Sequence, residues 1–201
     1  GFAEFGRGIG TVMRNRPFVA YLVTSVGSIG AFFAYISGSP FVLQEYMGLG
    51  VRTFSLVFGV NAVGLVLVTF LSMRLVGRVK ALNLVRVGVA TVVAAGIALL
   101  VLASVGLPTI PTLVALFVAT ASQGLVGGNL TGLGVSQTPD HVGTASALLG
   151  ALPFGFSAIL MPVVGLGFQP RTLAIVMLSC SVLALTAIIR VPRSHEGAKT
   201  G

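Results

Sequence analysis

The stretch FSLVFGVNAVGLVLVTFLSMRLVGRVK, residues 54–80, decides the fold class. From Phe54 to Ser72 it carries no charge, and then Arg74, Arg78 and Lys80 arrive close together. A helix needs about 20 apolar residues to cross the hydrocarbon core of a bilayer, and short basic clusters collect where such helices leave it. The stretch reads as one membrane span followed by its loop.

Working outward, five more segments have the same character: Phe18 to Val42, Leu82 to Val105, Thr112 to Val135, Thr144 to Gly165 and Leu173 to Ile189. The joints between the six spans read QEYMGLGVRT, MRLVGRVK, GLPTIP, SQTPDHVG and GFQPRT. They are short, so successive helices must run as antiparallel neighbours. Across all 201 residues, 55% are hydrophobic and only 8% charged, with mean hydropathy +1.04. A soluble domain carries about a quarter charged residues to keep its surface wet. The expectation is an all-α membrane protein: an arm over residues 1–16, a six-helix transmembrane bundle over 17–190, and a tail over 191–201.

A net charge of +8 raises nucleic acid as a partner, since basic chains attract phosphate. The positions of the cations exclude it. Arg7, Arg14, Arg16, Arg74, Arg78, Lys80, Arg86, Arg190, Arg193 and Lys199 fall on one side of the six spans, while only Arg52 and Arg171 fall on the other. Ten against two is the asymmetry that orients membrane proteins, so both termini are expected in the cytoplasm. The chain opens on Gly1 without a signal-peptide pattern, which suggests a natural start further upstream.

Polar side chains at membrane depth are costly unless partnered or facing a wet cavity. Asn61, Gln123 and Asn129 are the informative ones, because amides bond their own helix less readily than hydroxyls do. For these three, bonding between helices and cavity lining both stay open. Tyr35, Ser37, Ser39, Ser146 and Ser157 are weaker signals. All four acids, Glu4, Glu45, Asp140 and Glu196, lie outside the spans, so no proton-relaying carboxylate is expected within them. Asp140 stands where it can cap the fifth span. The sequon Asn129-Leu130-Thr131 lies at membrane depth, out of reach of glycosylation.

Small residues recur every four positions: Gly30, Ala34 and Gly38; Gly124, Gly128 and Gly132; Gly143, Ala147, Ala151 and Gly155. Each set lies on one helix face, where small side chains let a neighbouring backbone come close. Pro40 is expected to bend or end the first span, and Pro153 and Pro162 to kink or break the fifth.

Three runs carry a family resemblance. YISGSPFVLQE (Tyr35 to Glu45), FGVNAVG (Phe58 to Gly64) and GTASALLGAL (Gly143 to Leu152) resemble the C-terminal half of the Bcr/CflA branch of the major facilitator superfamily. These are bacterial drug/proton antiporters of the cytoplasmic membrane. The likeness extends from Arg16 to Arg190. It implies that the six spans are helices seven to twelve of a twelve-helix fold, with seven, eight, ten and eleven around a central cavity. It further implies a missing N-terminal six-helix half, small-molecule substrates and protons as partners, and no cofactor or metal. The RLVGR loop (Arg74 to Arg78) is similar to the family's cytoplasmic motif but lacks its acid. Relatives commonly have Gln at position 153 and Pro-Asn at 128–129, which makes the fourth span here more pliable. On the opening span, Phe33, Tyr35, Ser37 and Phe41 become candidate substrate contacts, joined by Asn61, Gln123, Asn129 and Ser146.

Proton-coupled efflux of amphipathic, drug-like molecules by alternating access is the leading expectation. The alternative is a self-contained six-helix channel or scaffold acting as a homodimer. An intramembrane hydrolase needs a histidine base at membrane depth, and His141 and His195 lie in a loop and in the tail. Cys180, alone in an apolar run, reads as a small hydrophobe.

Overall fold

Asn15 and Pro17 start the first span. The computed structural model describes residues 2–167 and 169–192, with side chains over 8–162 and 169–192. In it, the Asn15 side chain accepts from the Phe18 N–H at 3.0 Å. Pro17 sits in the first turn, where a missing N–H removes no helical bond. Helix α2 (Arg16–Pro40) follows and passes straight into a π-helical turn, Phe41–Tyr46. Then come α3 (Val51–Leu75), α4 (Ala81–Ser104), α5 (Thr109–Ser122), α6 (Gly127–Ser136), α7 (Val142–Gly167) and α8 (Pro170–Ile189). A short 3-10 turn, Gln123–Leu125, joins α5 to α6. Six helical stretches among the described residues are long and apolar enough to cross a membrane.

Before them lies α1 (Phe2–Arg14), a helix where the sequence suggested only an arm. Too short to span, it buries Val12 against Phe18 and Leu22 of α2 and Ala145 and Leu149 of α7. Asn15 also donates through Nδ2 to the Gln137 carbonyl at 2.9 Å, fastening this corner to the α6–α7 connection. The side chains of Glu4 and Arg7, and Arg193, His195, Glu196 and Lys199 of the expected tail, lie outside the described residues.

α2 is the centre of the bundle, packed on α8 and α7; α4 joins α8 to α5, and α5 carries α3. In lipid there is little hydrophobic force to bring helices together, so close contact of small residues matters most. A Cβ added at Gly27 would lie 2.5 Å from the Cys180 carbonyl oxygen and 2.9 Å from the Ala184 nitrogen. The α2 and α8 backbones touch there. One added at Gly124 would meet the α3 backbone, 2.6 Å from the Thr69 nitrogen.

The prolines do not break their spans. The first span does not end at Pro40 or Val42 but runs to Tyr46, the α-helix widening after Pro40 into a π turn in which the Met47 N–H reaches back five residues to the Val42 carbonyl at 3.0 Å. Gln44 and Glu45 therefore lie in the last turn of that span. Likewise α7 stays helical through Pro153 and Pro162. The discontinuity falls instead in the fourth span, at Gln123–Leu125.

The small-residue stripes divide. Ala34 and Gly38 are buried, and a Cβ added at Gly30 would lie 3.1 Å from the Phe156 ring and 3.3 Å from the Cys180 sulfur. Gly128 and Gly132, by contrast, have no atom of the described residues within 4 Å of an added Cβ. A 3-10 turn advances about 120° per residue against about 100° in an α-helix, so residues beyond it lose register with Gly124. Gly143, Ala147, Ala151 and Gly155 all lie on the face of α7 that the described residues leave exposed. Ala145, Leu149, Pro153 and Ser157 form the buried one. Two residues along a helix is about 200° around it, and four-residue spacing marks a face without saying which neighbour it meets.

Candidate functional site: a polar and aromatic face on four spans

The three amides expected to matter each reach across to another helix. Asn61 of α3 donates through Nδ2 to the Tyr35 hydroxyl of α2 at 2.7 Å, and both residues are only 2% exposed. Gln123, in the 3-10 turn, donates through Nε2 to the Ser28 carbonyl of α2 at 3.0 Å. Asn129 of α6 donates to the Ser72 hydroxyl of α3 at 2.6 Å and to the Leu125 carbonyl at 2.9 Å. Each bond spares a polar group from facing hydrocarbon alone.

Aromatic rings gather around the first of these. Tyr35 stacks on Phe58, ring centres 6.0 Å apart and 10° from parallel, and Phe58 meets Phe54 at 5.9 Å. On the other flank of α2, Phe33 meets Phe154 of α7 edge to face at 5.5 Å. Such rings present broad apolar surface at little entropic cost.

Between α2, the α5–α6 break and α7 lies a recess of 260 Å³. Gln123, Ser146, Ser25, Ser28, Thr131 and Phe154 are among its lining groups. Of the sequence candidates, it brings together Gln123 and Ser146, with Phe33 behind Phe154. Tyr35 and Asn61 form a separate cluster against Phe58, while Asn129 lies at the opposite end of α3 beside Ser72. Ser37 and Phe41 are half-buried, toward the C-terminal end of the first span. Ser25, Ser28, Thr131 and Phe154 escaped the sequence reading. The first two carried a usable signal, being three residues apart and thus on one face of a helix.

Among the described residues no three His, Cys, Asp or Glu side chains gather to hold a metal. Glu45 and Asp140 are exposed, Asp140 in the 3-10 turn Pro139–His141 ahead of α7.

Six apolar helices with polar groups turned toward one another define a multi-pass membrane protein. Comparison with known proteins gives its kind. The chain is 32% identical over 182 residues, 90% of its length, to the uncharacterized MFS-type transporter YdgK of Bacillus subtilis, of which it covers 44%. It is 24% identical over 147 residues, 73% of its length, to a bicyclomycin resistance protein homolog of Haemophilus influenzae, of which it covers 37%. No protein-family model matches the chain. It belongs to the major facilitator superfamily, among Bcr/CflA-like members, as a C-terminal segment. That superfamily consists of transporters rather than enzymes. The chain spans less than half the length of the relatives it matches.

Proposed function

We propose that this chain is the C-terminal six-helix half of a proton-coupled exporter of small amphipathic molecules, working by alternating access against an N-terminal half of similar size. One observation carries the reading: polar and aromatic groups collect on α2, α3, α5–α6 and α7, while α3 and α7 are the spans least covered by the rest of the chain. Val60, Val63, Leu67 and Phe70 of α3 and Phe154 and Ile159 of α7 are all more than half exposed. An opposing bundle seated on these two spans would close a central cavity over the recess. The exposed stripe Gly143, Ala147, Ala151 and Gly155 would then meet that partner bundle and let it slide at close range.

Broad specificity suits the lining, since apolar contact discriminates weakly among ligands. Glu45 and Asp140, both exposed at span ends, support seeking the proton-carrying acid in the N-terminal half. The ten-to-two bias of Lys and Arg supports both termini in the cytoplasm, and the bacterial relatives support insertion in a bacterial inner membrane. The name of the Haemophilus relative supports bicyclomycin as a first substrate to try.

The test is expression of the full-length gene in an efflux-deficient strain. Lower accumulation of bicyclomycin or a fluorescent cationic dye, abolished by a protonophore, is the expected result. Accumulation unchanged across a panel of amphipathic compounds would sink the exporter reading. Ion conductance from the purified protein would favour the channel instead.

A further inference from the structure

We propose that the groove between the start of α2 and the end of α8 is a binding site for an anionic phospholipid, its phosphate held between Arg16 and Arg190 and an acyl chain laid along α2. The groove encloses 660 Å³, walled by Pro17, Val19, Ala20, Val23 and Ala187, with the two arginines at its mouth. That volume is far more than a phosphate needs and is of the size that holds a drug-sized ligand. Both arginines are exposed, and among the described residues neither has an ion-pair or hydrogen-bond partner.

Depth fixes the kind of ligand. Arg16 is the first residue of the first span, and Arg190 follows the last residue of the sixth. Their guanidinium groups therefore stand at the edge of the hydrocarbon, where phospholipid phosphates lie. The apolar wall descends from there, and Pro17 to Val23 cover about 9 Å along the helix. Two cations above an apolar trough match a lipid that is charged at one end and greasy at the other. A soluble anion would leave the trough empty, and an apolar ligand would leave both charges unmatched.

A second arginine arrangement keeps the site positive. The C-terminal end of a helix carries partial negative charge on its free carbonyls, which repels phosphate. Here Arg86 of α4 reaches that end, donating through one guanidinium nitrogen to the Ile188 carbonyl at 3.5 Å and to the carbonyl of Val191, two residues beyond the helix. With those carbonyls occupied, Arg190 is left facing the groove. The start of α2 adds the positive end of its own dipole on the opposite wall. This inference concerns the bilayer edge and stands independently of what the protein transports.

The experiment is native mass spectrometry on the protein purified from its full-length gene, titrated with phosphatidylglycerol and with phosphatidylcholine of matched chains. The expected result is a preference of about 10-fold for phosphatidylglycerol, falling to near parity in the double variant Arg16→Gln/Arg190→Gln. Arg52→Gln, at the other membrane edge, should leave the preference unchanged. Ala20→Phe, which fills the trough and keeps both arginines, should also abolish it, and this variant decides the matter if the double variant fails to fold. Phosphatidylglycerol preference surviving either groove change would overturn the proposal. So would displacement of the lipid by glycerol phosphate at equal concentration, which would mark a plain anion site.

Discussion

Gly27→Val is expected to destabilise the protein by about 3 kcal/mol, the upper range for forcing extra methyl groups into a closed contact. Added atoms at Gly27 would collide with backbone, the Cys180 carbonyl oxygen at 2.5 Å and the Ala184 nitrogen at 2.9 Å, and would press on the Ala184 Cβ at 3.0 Å. A side chain in the way can rotate aside, but a helix backbone moves only if the whole helix moves. Separating α2 from α8 would also lengthen the weak bond from Thr24 Oγ1 to the Ala184 carbonyl, 3.4 Å across the same interface. It would loosen the cluster that Tyr21 shares with Ala184 and Ile188. Thermal unfolding of the full-length protein in detergent measures the effect, and Gly27→Ala should give a smaller loss of the same sign. A transition temperature for Gly27→Val equal to the parent's would mean that the two helices do not cross this closely.

The six spans were legible because lipid enforces them. A chain in hydrocarbon must satisfy every backbone group within its own helix, so length and hydropathy alone locate each segment. Packing is written less openly. Gly27 and Ala31 are four apart, just as Gly30, Ala34 and Gly38 are, and the richer stripe draws the eye. Both are buried because α2 has neighbours on two sides, α8 at Gly27 and both α7 and α8 at Gly30. On α7 the same kind of stripe faces outward, since that helix has a covered side and an open one. Spacing yields the face; only the fold tells what the face meets.

The candidate site was legible to a similar degree. That Asn61, Gln123 and Asn129 need partners follows from the cost of lone amides in lipid. That the partners are Tyr35, Ser28 and Ser72 depends on helix order and crossing, which hydropathy does not encode. The break at Gln123–Leu125 was hidden because glycine near an amide is compatible with a continuous helix. In the fold, Gly124 of that turn lies where an added Cβ would be 2.6 Å from the Thr69 nitrogen of α3, a proximity that sequence spacing does not encode.

Tyr35→Phe is expected to lower stability by about 1–3 kcal/mol, because it strands the Asn61 amide in a buried position without its acceptor. Asn61→Leu should cost less, since it removes the group that needs a partner. The double variant should therefore fall short of the sum, with a coupling of about 0.6 and at most about 1.7 kcal/mol, the range seen between membrane helices. This cycle separates two roles for Tyr35. Held by Asn61 and stacked on Phe58, its ring has little freedom to follow a ligand, so it serves as a clamp that fixes α2 against α3. Loss of the clamp should reduce efflux of every substrate alike. Gln123→Ala and Phe154→Ala, which alter the recess itself, should instead change the order of preference among substrates while leaving the protein folded. If Tyr35→Phe keeps the parent's stability and reorders substrate preference, the hydroxyl belongs to the ligand rather than to Asn61, and the site extends from the recess to the outer aromatic cluster.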